Sequence, residues 1–305
     1  MNKITISTFE LFKMFPDQHS AIVYLESRLW PNGVRCPSCK NGERITARKD
    51  GFYRCNACQK DFTVRTGTIF ERSHIPLHKW LYAIYLLVTA RKGISSLQLS
   101  KEIGITQKSA WFMLQRLREA CGNNLTMLRG IVEVDETYIG GKEANKHEYK
   151  KLKQGRGSVG KSAVLGIRER GGNTVAMPIE DADRPTIHKM IYSHIEPGTK
   201  IYTDEHGGYN SLCGLFFEHE TVNHSAKEFV RGDVSTNSIE SVWAVLKRGL
   251  HGVYHHASDK HLKRYVDEFT FRLNVGNVKN HTMHRLDGFV DAVSGCRITY
   301  KELTA

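Results

Sequence analysis

Apolar residues at the start of the chain recur at helical spacing and predict two short helices over residues 7–29. Ser7 or Thr8 caps the first, Pro16 separates them, and Ile22, Leu25 and Leu29 line one face of the second. Trp30-Pro-Asn-Gly33 breaks the period. A second helical tract covers residues 76–121. Pro76 suits a helix start, residues 80–90 are almost wholly apolar, residues 96–103 make a short helix, Gly104-Ile105 a turn, and Thr106 caps a third helix ending at Cys121. This is helix-turn-helix spacing. Ala110, Leu114, Leu117 and Cys121 form the stripe expected to be buried. Gln107, Lys108, Ser109, Gln115, Arg116 and Arg118 are expected outside.

From residue 129 the period shortens to two. Strands are predicted over residues 131–139, 162–168 and 174–179, the last two joined by the hairpin turn Gly171-Gly-Asn173. A helix over 185–195 leads by a right-handed crossover to a strand over 200–204; a fifth strand covers 216–222, and helices cover 236–250 and 260–273. The fold class is therefore multidomain α/β, with a mixed sheet flanked by helices in the carboxyl half. The expected segments are an amino-terminal helical piece (1–30), a metal ribbon (31–70), a helix-turn-helix module (72–125) and a catalytic domain (128–295).

The 305 residues carry 44 Lys+Arg against 32 Asp+Glu, a net charge of +12, which points to a polyanionic partner, nucleic acid before an anionic membrane surface. The apolar run at 80–90 is too short to span a bilayer and the amino terminus lacks a signal-peptide pattern, so a cytoplasmic protein with no membrane association is expected.

Four of the seven cysteines form two CxxC pairs, Cys36/Cys39 and Cys55/Cys58, with fifteen residues between them. That is the spacing of a four-thiolate zinc site, and a ribbon this small needs the metal for its folding energy, so Zn²⁺ is expected to be structural. Tyr53, Phe62 and Phe52 read as its strand residues.

The stretch Ile131-Val-Glu-Val-Asp-Glu-Thr-Tyr-Ile-Gly-Gly141 alternates like a strand yet carries acids. Glu133 and Asp135 share one face while Val132 and Val134 share the other. Asp204 ends another predicted strand and Glu240 lies in the first turn of a predicted helix. Three carboxylates in one small space call for hard divalent cations, and Asp135, Asp204 and Glu240 are the candidate set for a phosphoryl-transfer centre. Plainer readings stand beside this one: Asn237-x-x-Glu240 is a capping-box spacing, Asp135 alone suits a hydrogen-bonded strand acid and Glu133 a salt bridge, while Asn237 is an alternative third ligand. Glu136 and Glu205 are expected to point away. Lys247, two turns beyond Glu240, is placed to meet a DNA phosphate.

The first residues of the third helix of the helical module, Gln107, Lys108 and Ser109, are the candidates for base contact, with Arg116 beside them. A basic connection over 142–161, including Lys150, Lys151, Lys153 and Arg156, adds candidate phosphate contacts. Within it Gly155-Arg-Gly-Ser-Val-Gly-Lys-Ser162 matches the phosphate-loop pattern, the mark of an ATPase. A phosphate loop follows a buried strand and opens a helix, whereas here a strand-like segment follows, so no nucleotide is expected.

Taken together, the four cysteines, VDETYIGG at 134–141, YTDEHGGY at 202–209 and TNSIESVWAVLKRGLHGVYHH at 236–256 resemble the insertion-sequence DDE transposases with an amino-terminal zinc ribbon, a bacterial group akin to the Merlin elements. The resemblance covers nearly the whole chain. It implies a ribonuclease H-like catalytic fold with Asp135, Asp204 and Glu240 as the acids and Lys247 as the accompanying base. It further implies two catalytic Mg²⁺ (or Mn²⁺) ions, double-stranded DNA as element ends and target, a homodimer or higher assembly, and a nucleoid-associated location. One departure stands out: after Phe271-Arg-Leu-Asn274 the family pattern implies a basic pair, and Val275-Gly276 stands there. The alternative from another class is a sequence-specific DNA-binding regulator with an inactive ribonuclease H-like domain.

Overall fold

The computed structural model describes residues 5–122, 127–141, 147–151, 159–212 and 216–305. It divides into two compact units, residues 1–123 with 275–305, and residues 124–274.

The first unit opens with α1 (Thr8–Met14) and α2 (Gln18–Leu29), each started by a reciprocal capping box, Ser7 with Glu10 and Asp17 with Ser20. The ribbon follows as an antiparallel sheet of β1 (Ile45–Ala47), β2 (Tyr53–Cys55) and β3 (Lys60–Phe62). Its small core is aromatic: Trp30 sets its edge against Tyr53 and Phe62, whose rings stack 5.5 Å apart. Phe52 lies outside the strands and is exposed, because a 3-10 turn at Lys49–Gly51 precedes β2. Next come α3 (Leu77–Thr89), α4 (Ser96–Ile103) and α5 (Gln107–Cys121). Gly104, at φ 65°, ends α4 in the left-handed conformation that glycine adopts without strain, and Thr106 caps α5 through the Ser109 N–H.

The buried side of α5 is wider than the expected stripe. Gln115, Arg116 and Arg118 are buried with Ala110, Leu114, Leu117 and Cys121. Arg116 donates to the Ile69 carbonyl at 2.9 Å and stacks on Phe112, which corrects its expected place on an outer, DNA-contacting face. Its long stem and planar head let it sit among apolar neighbours once a carbonyl accepts from it.

The second unit is built on a five-stranded sheet, with β4 (Ile131–Ile139), β5 (Ser162–Glu169), β6 (Thr174–Ile179), β7 (Thr199–Thr203) and β8 (Phe217–Thr221) in the order β6-β5-β4-β7-β8. The first three pair antiparallel and the last three parallel, the ribonuclease H-like arrangement. Strand alternation places helices on both faces. Val132, Val134, Leu165 and Ile167 pack on α6 (Arg184–His194) through Ile187 and Ile191. Val164 and Ala176 pack on α7 (Asn237–Gly249) and α8 (Asp259–Leu273) through Ile239, Trp243 and Phe269. A short hairpin of β9 (Val230–Arg231) and β10 (Val234–Ser235) leads into α7, which runs on through a π-helical turn at Leu250–Tyr254. The Asn274 side chain bonds both the N–H and the carbonyl of Thr174 and so closes the unit on β6.

The catalytic segment was expected to run to residue 295, but its compact unit ends at Asn274. From Val275 the chain belongs to the first unit, where α9 (Thr282–Asp291) packs on α2 and α3 and α10 (Tyr300–Thr304) follows. The buried Arg285 donates to the Val88 carbonyl and to Thr282 Oγ1, Tyr24 donates to Asp287 at 2.5 Å, and Arg297 pairs with Glu71 at 2.9 Å. No helix among the described residues is long and apolar enough to cross a membrane.

Candidate active site

Strand β4 carries candidate acids, and its pleat sets Glu133 and Asp135 on the face opposite Val132 and Val134. Val132 and Val134 face α6, while Glu133 and Asp135 face α7. Glu133 is almost fully buried and satisfied three ways. It accepts from Arg170 Nε at 2.7 Å and from the Ser238 and Ile239 N–H groups at 2.8 and 3.0 Å. It is thus a salt-bridge partner, and also a capping anion for α7 brought from a different element. Arg170 completes the clamp by donating to the Asp233 and Ser235 carbonyls and to Ser235 Oγ, with its guanidinium over the Tyr202 ring.

Asp135, two residues on, is half-buried. Burial first, then the adjacent Glu136 charge and that of Asp204, push its carboxyl up to about 7, while a hydrogen bond from Trp243 Nε1 pulls the other way. Asp204 lies immediately after β7, parallel to β4, and its Oδ1 accepts from the His206 N–H at 2.9 Å. Glu136 was expected to point away from the face of Asp135, and on the extended strand it does. It crosses to the other face, accepts from Tyr209 Oη at 2.6 Å, and lies 3.8 Å from His206. Burial and that carboxylate hold the Tyr209 hydroxyl well above its ordinary value. The YTDEHGGY segment carried this signal, since a histidine and a tyrosine beside an acid imply a hydrogen-bonding partner. Glu205 anchors the turn at 224–225, accepting from the Ser225 hydroxyl and from the backbone of His224 and Ser225, and these bonds hold it down at about 2.

Glu240 lies in the first turn of α7 and is half exposed. Its Oε1 accepts from Thr236 Oγ1 at 3.2 Å and lies 3.9 Å from His224. Asp135, Glu136 and Asp204 therefore form one electrostatic neighbourhood, and Glu240 lies on the helix that also supplies Trp243. Lys247 is partly buried in the last turn of α7. A carboxyl pushed up by burial and by two neighbouring acids suits a divalent cation, whose charge would favour its ionised form, and the oxygen donors are of the kind Mg²⁺ and Mn²⁺ take.

Among the described residues, the four cysteines are the group of three or more metal-binding side chains whose ligand atoms all lie within 4.8 Å of one another. The Cys36–Cys58 and Cys39–Cys55 sulfur pairs are 3.6 and 3.5 Å apart. Tetrahedral Zn–S bonds would set sulfurs about 3.8 Å apart, so the cluster fits a structural zinc ribbon.

Gln107 and Lys108 are exposed at the start of α5, Ser109 is partly buried there, and the Lys108 ammonium sits over the Tyr300 ring. Lys151 pairs with Glu148 at 2.8 Å; the side chains of Lys150, Lys153 and Arg156 lie outside the described residues, as does much of the phosphate-loop match. That match ends in Ser162, the first residue of β5, where a phosphate loop would begin a helix.

Residues 127–274 match the model of the ISXO2-like transposase domain, and residues 16–61 match that of the transposase zinc-ribbon domain. A protein of transposable element ISH50 from Halobacterium salinarum is 30% identical over 276 residues, 86% of this chain and 93% of that one. Among solved structures, the Mos1 strand transfer complex is 12% identical over 72% of this chain and 78% of that chain, with a TM-score of 0.31. A simian T-cell lymphotropic virus intasome is 15% identical over 67% of each chain, with a TM-score of 0.29. Likeness at those scores bears no weight beside the two domain matches and the full-length relative. The two domain matches and a relative that covers almost the whole chain thus place it in the ISXO2-like transposase family.

Proposed function

We propose that this chain binds the ends of an insertion sequence and carries out metal-dependent DNA strand cleavage and strand transfer. The observation that supports it best is the half-buried Asp135 on β4, which feels the charge of Asp204 just after the parallel β7, with Glu136 adjoining. Asp135 and Asp204 hold the catalytic cations, and Glu240 joins them by exchanging its Thr236 and His224 contacts for a cation. Two Mg²⁺ or Mn²⁺ ions, when bound, supply Lewis acidity for attack on and departure from a phosphate. Lys247 neutralises a DNA phosphate near the acids.

Helices α4 and α5 act as a helix-turn-helix module. Gln107, Lys108 and Ser109 approach base edges, while Lys150, Lys151, Lys153 and Arg156 meet phosphates; Arg116 is assigned to the core. Two element ends must be handled together, which calls for a dimer or larger assembly on nucleoid DNA.

Assays of Asp135→Asn, Asp204→Asn and Glu240→Gln for cleavage and joining of element ends test this reading. Each is expected to abolish both steps while leaving end binding intact. Full activity in any one removes that residue from the site, and end binding by the unmodified protein without strand cutting in Mg²⁺ or Mn²⁺ would assign it the regulator's role instead.

A further inference from the structure

Among the described residues, a side-chain hydrogen bond reaches the Asp135 carboxylate from helix α7. Trp243 Nε1 donates to Asp135 Oδ2 at 2.8 Å from a nearly buried indole. The ring can lie there because of a vacancy on the neighbouring strand. Gly166 is the register partner of Asp135 on β5, so a side chain at 166 would point to the same face. A Cβ at Gly166 would come within 2.4 Å of Trp243 Cη2, 2.5 Å of its Cζ2 and 2.9 Å of Ile239 Cδ1. A strand this well buried gains nothing from glycine conformationally, and the residue lacks the left-handed φ that would require one. What it supplies is room for an indole.

The N–H has a definite consequence for the carboxylate. A carboxylate offers about four lone-pair directions, and the indole takes one on Oδ2, fixing the side-chain torsion and leaving the others in set directions. Trp243 also lies three residues after Glu240 on α7, so the same bond ties the helix bearing the third acid to the strand bearing the first.

We infer that Trp243 is a positioning residue, which, seated on Gly166, orients Asp135 for cation binding. This rests on the reading of Asp135 as a cation ligand. Groups that orient a metal ligand by hydrogen bonding typically change metal affinity about 10- to 100-fold when removed.

The test is Mn²⁺ binding to the full-length, zinc-loaded protein by titration calorimetry, in the unmodified chain and in Asp135→Asn, Trp243→Phe and Gly166→Ala, with thermal melting of each. Trp243→Phe keeps a ring and removes the N–H. It is expected to weaken Mn²⁺ binding about tenfold with little change in melting temperature. Gly166→Ala is expected to weaken binding at least as much by displacing the ring, and adding Trp243→Phe to it should cost little more, because both act through one contact. In strand-transfer assays the metal concentration for half-maximal rate should rise in Trp243→Phe while the rate at saturating metal is largely kept. Mn²⁺ affinity in Trp243→Phe within twofold of the unmodified protein, or a collapse of its melting temperature, overturns the positioning role. Mn²⁺ binding that ignores Asp135→Asn overturns the assignment of Asp135 itself, and the positioning role with it.

Discussion

At the scale of single residues, the strand 131–139 uses three acids for three purposes, and geometry rather than residue type separates them. Glu133 is ion-paired and helix-capping, Asp135 accepts the Trp243 N–H, and Glu136 lies on the opposite face against Tyr209. The Glu133 pair can be tested by stability. Removing one partner of a buried pair leaves an uncompensated charge and costs about 3–5 kcal/mol. Arg170 is partly exposed, so water screens some of that loss, and Arg170→Ala is expected to destabilise the second unit by about 3 kcal/mol, the low end of that range. Urea unfolding followed by far-ultraviolet circular dichroism measures it; a loss under about 0.5 kcal/mol, the size of an ordinary surface substitution, would mean the clamp is not what holds α7.

At the scale of elements, helix α5 carries two basic residues with opposite fates. Lys108 is exposed in its first turn, whereas Arg116 is buried on Phe112 and bonded to the Ile69 carbonyl. Lys108→Ala is therefore expected to lower the slope of log affinity against log salt by about 1 without a stability change. Arg116→Ala is expected to lower the melting temperature instead; salt titration of end binding alongside thermal melting separates the two, and a salt effect from Arg116 would contradict its burial. Helix periodicity foretold the stripe of Ala110, Leu114, Leu117 and Cys121 but not this wider buried side, since arginine is counted as polar by pattern while its stem packs like a hydrophobe. The strands were legible as short apolar runs bounded by turn residues, and alternation placed Glu136 on the face away from Asp135, but it could not reveal that a tyrosine from another segment waits there. The ribbon was legible from cysteine spacing alone. Its core amounts to little more than Trp30, Tyr53 and Phe62 around the thiolates, so the metal should carry its folding. One zinc per chain is expected, falling to none in Cys55→Ser, with amide protection lost in residues 34–62 and kept in β4 and β5. Hydrogen exchange and a colorimetric zinc release assay check both, and a protected, metal-free ribbon would show that packing suffices.

At the scale of the whole molecule, chain order and compact units do not coincide. The apolar stripe Leu286, Phe289 and Val290 announces that α9 must bury one face, but nothing local states against what, and contiguity suggests the preceding sheet. The structure instead returns residues 275–305 to the first unit. There Arg285 spends its donors on Val88 and Thr282, and Asp287 and Asp291 meet Tyr24 and Arg28. Two faces would be opened by truncation after Asn274: the apolar seat of α9 on α2 and α3, and the buried Val88 carbonyl, which would lose its partner. Cavity-scale losses of this kind add to several kcal/mol when a whole helix goes, against a total stability of about 5–15 kcal/mol for a domain. The truncated chain is therefore expected to lose amide protection in α2 and α3, while β4, β5 and β7 keep theirs because Asn274 still closes β6. Hydrogen exchange resolved by peptide distinguishes this from a contiguous organisation, in which the sheet would lose protection and α2 and α3 would not change.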